Sequence, residues 1–170
     1  SNIAVVYGEQ NQYDEALKLV VRALEIRDQE SGADDIDVAT SLSTLALVLR
    51  EKGEFENAIL VFQRSLDIRQ KVFGTYHHDV ARTLHNLALI NDEIANYDEA
   101  IRLYERAIEI REKVLGKLNA DLATSLNNLG VIYLNLAELD KAEQLLRRAL
   151  EIKEKALPPT NTSIAATLSN

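Results

Sequence analysis

The sequence predicts an all-α solenoid of antiparallel helix pairs, and three observations predict it. Residues 36–77, 78–119 and 120–161 align on one another without a gap, at a fixed period of 42 residues. Such a self-match is the mark of a repeat array. Within each copy, apolar residues recur at spacings of three and four in two separate series, one face of each of two helices. Two prolines and six glycines are all that interrupt 170 residues, of which 46% are hydrophobic and 27% charged, leaving little room for disordered linkers.

Taken in order, the chain opens in mid-unit. Asn2, Ile3, Ala4 and Tyr7 align with Asn86, Leu87, Ala88 and Asn91, so residues 1–10 match the second half of a first helix. Tyr13-Asp14-Glu15-Ala16 opens a second helix running to about Glu30, which Gly32 ends. Residues 1–35 thus form a partial repeat, and three complete repeats follow in one domain spanning 1–170.

In the middle copy, Val80, Ala81, Leu84, Leu87, Ala88 and Asn91 mark the first helix, and Ala100, Leu103, Tyr104, Ala107, Ile108, Ile110 and Leu115 the second. The short polar segment 94–98 between them requires an antiparallel hairpin. Asp79 and Asp98 sit in first turns, where an anion meets the positive end of the helix dipole. Gly116 follows the last apolar position, where a helix stops most easily on a left-handed residue. Ala88, Ala100 and Ala107 sit where helix axes must approach closely and larger side chains would overpack the contact.

Residues 162–170 start another first helix. Neither end carries a polar capping helix, which solenoids use to cover their last apolar face. The expectation is a fragment of a longer array, with ends able to stack head to tail.

These residues resemble the tetratricopeptide repeats, in the 42-residue form of kinesin light chains. The places that the pattern gives to large, small and aromatic residues hold Leu126, Leu129-Gly130, Tyr133, Ala142, Leu146 and Ala149. One copy earlier they hold Leu84, Leu87-Ala88, Asn91, Ala100, Tyr104 and Ala107. One earlier still come Leu42, Leu45-Ala46, Leu49, Ala58, Phe62 and Ser65. Segments such as DVATSL and RAIEIREKVLG carry the kinesin-light-chain flavour. Departures are the missing Pro at Ile36, His78 and Ala120, and the loss of an aromatic at Leu49 and Asn91. The resemblance implies a right-handed superhelical solenoid that binds other proteins, including cargo or adaptor recognition.

It also implies where a ligand would lie. On each first helix the residue before the core Leu is Asn: Asn2, Asn86, Asn128 and Asn170, with Thr44 the exception. In similar arrays that position lines a concave groove and grips the backbone of an extended peptide. An amide offers both donor and acceptor, whatever the ligand sequence, and mid-helix Asn is otherwise mildly unfavourable. Twenty-five positions on come Arg27, Arg69, Arg111 and Lys153, which by the same resemblance face the groove and meet acidic ligand residues. Val5, Leu47, Leu89 and Val131 would supply apolar floor.

The chain is less similar to the tetratricopeptide arrays that clamp the C-terminal carboxylate of a chaperone tail, in which a Lys or Arg stands four residues before the Asn. Thr40, Arg82 and Thr124 provide one, Arg82, so a two-ended clamp is not expected. Glu9, Glu51 and Glu93 give the groove mixed sign, suiting a peptide with an acidic stretch and an apolar anchor.

Other chemistry finds little to stand on. The formal charge is -8, with 19 Lys and Arg against 27 acids, which argues against nucleic acid and anionic lipid as partners. No apolar run approaches the roughly 20 residues of a membrane span. The absence of cysteine suits a reducing, cytoplasmic setting. His77 and His78 are adjacent in a loop and expected to point apart, and His85 is expected to be solvated, so neither metal nor cofactor is anticipated. Carboxylates such as Glu109 and Glu112 lie among Arg106, Arg111 and Lys113 at helix spacing, a salt-bridged face. No catalytic constellation emerges. A protein-binding module is the favoured function, and a structural spacer stacking through its ends is the alternative.

Overall fold

The computed structural model describes residues 35–158 and 161–170, with positions 18, 19, 21–23 and 26, which are helical. Asn2, Val5, Glu9 and Arg27 lie outside the described residues. Two compact units are present, Ser1–Thr75 and Tyr76–Asn170. Every regular element among the described residues is an α-helix.

In the first unit, α1 (Ile36–Glu51) and α2 (Phe55–Phe73) form an antiparallel hairpin. Val38, Ala39, Leu42 and Ile68 make its core, with Ile36 and Val61 packed alongside. The second unit contains α3 (His78–Glu93), α4 (Tyr97–Leu115), α5 (Ala120–Asn135), α6 (Leu139–Ala156) and α7 (Thr162–Ser169). Here α3 pairs with α4 and α5 with α6, while α5 also packs on α4 and α7 on α6. Ala88, Ala100, Tyr104, Leu129, Ile132, Tyr133 and Ala142 form one core cluster, so the two hairpins share apolar surface. Leu122, Leu126, Ala149 and Ile152 belong to a second cluster. The small residues Ala88, Ala100 and Ala107 are fully buried, as close helix approach requires.

Each first helix starts on a side-chain cap one residue ahead of the repeat. Asp35, His77, Asn119 and Asn161 accept from the backbone N–H of Asp37, Asp79, Asp121 and Ser163. Each satisfies at least one of the donors a helix start leaves open. The hairpin turns are equally regular. The N–H of Glu54, Asn96 and Glu138 reaches the carbonyl five residues back, at 2.9, 2.8 and 2.9 Å, around a residue of positive φ: Gly53 (81°), Ala95 (58°) and Ala137 (59°). This closure is the Schellman type. Gly116 ends α4 at φ 82°, ψ 169°. Its φ is positive as expected, but ψ is extended, a combination open essentially to glycine.

Candidate ligand-binding face

The first helices of the second unit adjoin through short polar side chains. His85 Nδ1 lies 2.9 Å from Ser125 Oγ, linking α3 to α5. Asn170 Nδ2 donates to Asn127 Oδ1 at 3.2 Å, linking the end of α7 to α5. Beside these contacts run two stripes at helical spacing: Arg82, Asn86, Leu89 and Glu93 on α3, and Thr124, Asn128, Val131 and Asn135 on α5. Asn86, Leu89, Asn128 and Val131 at their centres are half-buried, while Arg82, Glu93, Thr124 and Asn135 at their ends are exposed.

The two central amides differ in state. Asn128 Nδ2 donates to Tyr104 Oη at 3.3 Å, and its Oδ1 accepts from Asn127 Nδ2 at 3.4 Å. Asn86 makes no side-chain hydrogen bond to a described residue, so its donor and acceptor both remain for a ligand. Asn170 is exposed at the end of α7. In the first unit, Leu47 is exposed, and Thr44, in the Asn place, turns its hydroxyl onto Thr40 O at 3.1 Å.

The basic row lies elsewhere than expected. Arg69, Arg111 and Lys153 are 2%, 5% and 5% exposed. Arg111 Nη1 donates to the Asp121 carbonyl at 2.6 Å and to Ser125 Oγ. One copy later, Lys153 Nζ donates to the Ser163 carbonyl at 3.1 Å and to Thr167 Oγ1 at 2.7 Å. The two sets of partners are the same repeat positions. Each cation therefore ties the end of a second helix to the first turn of the next first helix. Arg69 Nη1 donates to Ser43 Oγ at 2.9 Å within the first unit. For Arg111 and Lys153 the expectation that they meet an acidic ligand gives way to an internal role, because their head groups lie in the repeat contact, and Arg69 is buried as well. Burial pulls the Arg111 and Lys153 pKa values below their ordinary range, yet hydrogen-bonded carbonyls compensate the buried charge.

His85 likewise departs from the expected solvated state. It is 8% exposed, edge-on to Tyr104 with ring centroids 5.4 Å apart and 3.4 Å from Arg111 Nη1. Burial, then the Arg111 charge, lowers its pKa from 6.5 to about 3, so the ring is neutral and Nδ1 can accept from the guanidinium.

His77 and His78 do not point apart. Their rings lie 4.3 Å apart at a tilt of 36°, because both turn toward Asp79, with His77 Nδ1 3.6 Å and His78 Nε2 3.4 Å from Asp79 Oδ2. Three potential ligand atoms thus come within 4.8 Å of one another. The His77 Nδ1 lone pair, however, already accepts the Asp79 N–H that caps α3. A cation there would also face the positive end of the helix dipole. The cluster is read as a cap.

The sequence reading missed the cap row Asp35, His77, Asn119 and Asn161, although its signal, a short polar residue at each 42-residue step, was present. It also missed Ser125 and Thr167 as cation partners. Seryl and threonyl side chains mid-helix carry no mark of their own until a cation is placed beside them.

Comparison with known proteins agrees with this architecture. No curated protein sequence matches the chain. Among solved structures it is similar to a putative kinesin light chain with nearly identical TPR-like repeats from Podosopora anserina, at TM-score 0.83 and 22% identity, covering 98% of this chain and 79% of that one. It is similar to BtubC (BKLC) from P. vanneervenii at TM-score 0.83 and 27% identity, over 94% of this chain and 64% of that one. RapI in its apo form matches at TM-score 0.79 and 24% identity, over 91% of this chain and 54% of RapI. The tetratricopeptide repeat model matches residues 1–71, 45–113 and 79–155. With this coverage, the cores shared between hairpins and the period of 42 residues, the chain belongs to the tetratricopeptide repeat family, a protein-interaction fold rather than a catalytic one.

Proposed function

We propose that this chain binds an extended segment of a partner protein on the face shared by α3, α5 and α7. The observation that carries the reading is the pair of half-buried amides, Asn86 and Asn128, one period apart, each followed by a half-buried aliphatic residue, Leu89 and Val131. Asn86 offers a peptide unit both hydrogen-bonding partners, independent of side chain. Leu89 and Val131 offer apolar contact to alternate ligand side chains, which is how extended peptides gain specificity on a surface of backbone-directed hydrogen bonds. The fold supports the coarser part, a protein-interaction module, and the amide row supports the finer one. The cation row lends no support to an acidic ligand, since Arg111 and Lys153 are occupied within the repeat contacts.

The test is a selection of random peptides, displayed as a library, on the intact protein. Synthetic copies of the selected peptides are then titrated against wild type and against Asn86→Ala/Asn128→Ala. Each lost contact should weaken binding by about 1–3 kcal/mol where a ligand group is left buried and unpaired. The melting temperature should change little, because the Asn86 side chain makes no hydrogen bond to a described residue and that of Asn128 makes long ones. Equal affinity for a folded double variant overturns the reading and leaves a spacer as the function.

A further inference from the structure

We infer that the second unit carries another docking site, a cleft between α4 and α6 that takes an amphipathic helix of a partner protein. An aliphatic ridge seats that helix, and a Lys or Arg on its edge meets Glu105. The site stands independently of the extended-peptide face described above.

Two helices that both run antiparallel to α5 form the walls. Glu105, Ile108, Glu109 and Glu112 line the cleft from α4. Lys141, Gln144, Leu145 and Arg148 line it from α6. Each wall thus shows one helix face over two turns, about 10 Å of rise. The floor is Leu126, Leu129 and Tyr133 of α5, which lie around that helix from Asn128 and Val131, on its opposite side. Ile108 and Leu145 are half-buried and pack on the apolar clusters below them.

These surroundings suit a helix rather than an extended segment. Walls and floor are helical, so their backbone groups are already paired, and an extended chain would find few partners for its own N–H and C=O groups. A helix arrives with those groups paired and can lay aliphatic side chains at i, i+3 or i+4, and i+7 into an apolar groove.

Two polar groups in the cleft await a partner. Tyr133 is 9% exposed, and its hydroxyl makes no hydrogen bond to a described residue. The Glu105 carboxylate, exposed at the rim, makes neither a hydrogen bond nor an ion pair to one. The two are neighbours: burial, then the Glu105 charge, raises the Tyr133 pKa. Other charges on the walls are matched, Glu109 by Lys113 and Glu112 by Arg148. Lys141, over the Tyr133 ring at 4.9 Å, feels the Glu105 charge but bonds Glu138 at 2.5 Å. A cation on the docked helix would find an acid in Glu105 and an acceptor in the Tyr133 hydroxyl.

The test is a displayed library of peptides on a stable helical scaffold, randomised along one face and selected on the intact protein. Synthetic copies of the selected helices are titrated against wild type and three variants. Gln144→Trp fills the cleft from an exposed position and should weaken binding by about tenfold or more. Glu105→Lys should weaken helices that carry Lys or Arg by about tenfold at low salt. Changing the peptide's cation to Glu should restore binding to that variant. Both positions are exposed, so the fold is kept, and an unchanged melting temperature confirms it. Asn86→Ala/Asn128→Ala should bind the helices as wild type does, whatever it does to extended peptides. Unchanged affinity for the Gln144→Trp or Glu105→Lys variant overturns the inference, as does a selection that yields no helical binder. Loss of binding in the double Asn variant also overturns it, because the helices would then lie on the other face.

Discussion

At the scale of single residues, the hairpin turns hold the clearest stored strain. The same turn position carries Gly53 in one copy and Ala95 or Ala137 in the others, all at positive φ. A left-handed conformation costs a residue with a Cβ roughly 1–2 kcal/mol that glycine does not bear. Part of that gain is offset, because glycine gives up more freedom on folding. Ala95→Gly and Ala137→Gly should therefore each stabilise the protein by about 0.5–1 kcal/mol, and Gly53→Ala should destabilise it by a similar amount. Urea unfolding read as a change in midpoint at constant slope is the check. The turn itself was legible in the sequence as a short polar interruption. The strain was not, because alanine gives no sign of positive φ until the six-residue hydrogen bond around it is seen.

At the scale of helices, α5 and α6 meet at Gly130 with no room for a Cβ. A Cβ built on Gly130 would lie 2.8 Å from Leu146 Cγ, too near for either atom. In the other copies these two places hold Ala46 with Phe62 and Ala88 with Tyr104, all four buried. Leu146 branches at Cγ close to the helix axis, whereas an aromatic side chain presents a flat ring. The glycine and the leucine thus read as one compensated pair. Gly130→Ala alone should trade about 1 kcal/mol of helix propensity against an overpacking cost of about 1–3 kcal/mol, a net loss. In a Leu146→Phe background the same change should be neutral or stabilising. A double-mutant cycle by thermal unfolding checks this, and simple additivity would show the two sites to be independent. The sequence marked both places as core, and their coupling became visible only when the helices were set side by side.

At the scale of the whole molecule, acid should weaken the fold through His85. Its folded pKa, about 3, lies below the ordinary 6.5, so between those values the unfolded chain binds one more proton than the folded one. Stability is therefore complete above about pH 6.5 and falls as pH falls toward 3, by roughly 1.4 kcal/mol per pH unit. His85→Asn, the residue Asn127 provides at the same place one copy later, should flatten that part of the profile. Urea titrations from pH 7 to pH 4.5 would show it, and an unchanged slope in the variant would place the acid sensitivity elsewhere.

The sequence by itself determined the repeat, its two helices, the small residues where they approach, and the row of Asn on the first helices. All of these are periodic, and burial on one face of a helix writes itself into residue spacing. Only the tertiary structure decided where the charges go. Whether Arg111 and Lys153 reach solvent or the first-turn carbonyls of Asp121 and Ser163 depends on the distance between helices in successive repeats. So does the choice between a solvated His85 and one wedged between Ser125, Tyr104 and Arg111. Spacing along one helix reveals which face a long cation leaves from. Where its head group ends is set by the neighbouring repeat, and here that neighbour supplies carbonyl and hydroxyl oxygens that compensate the buried charge.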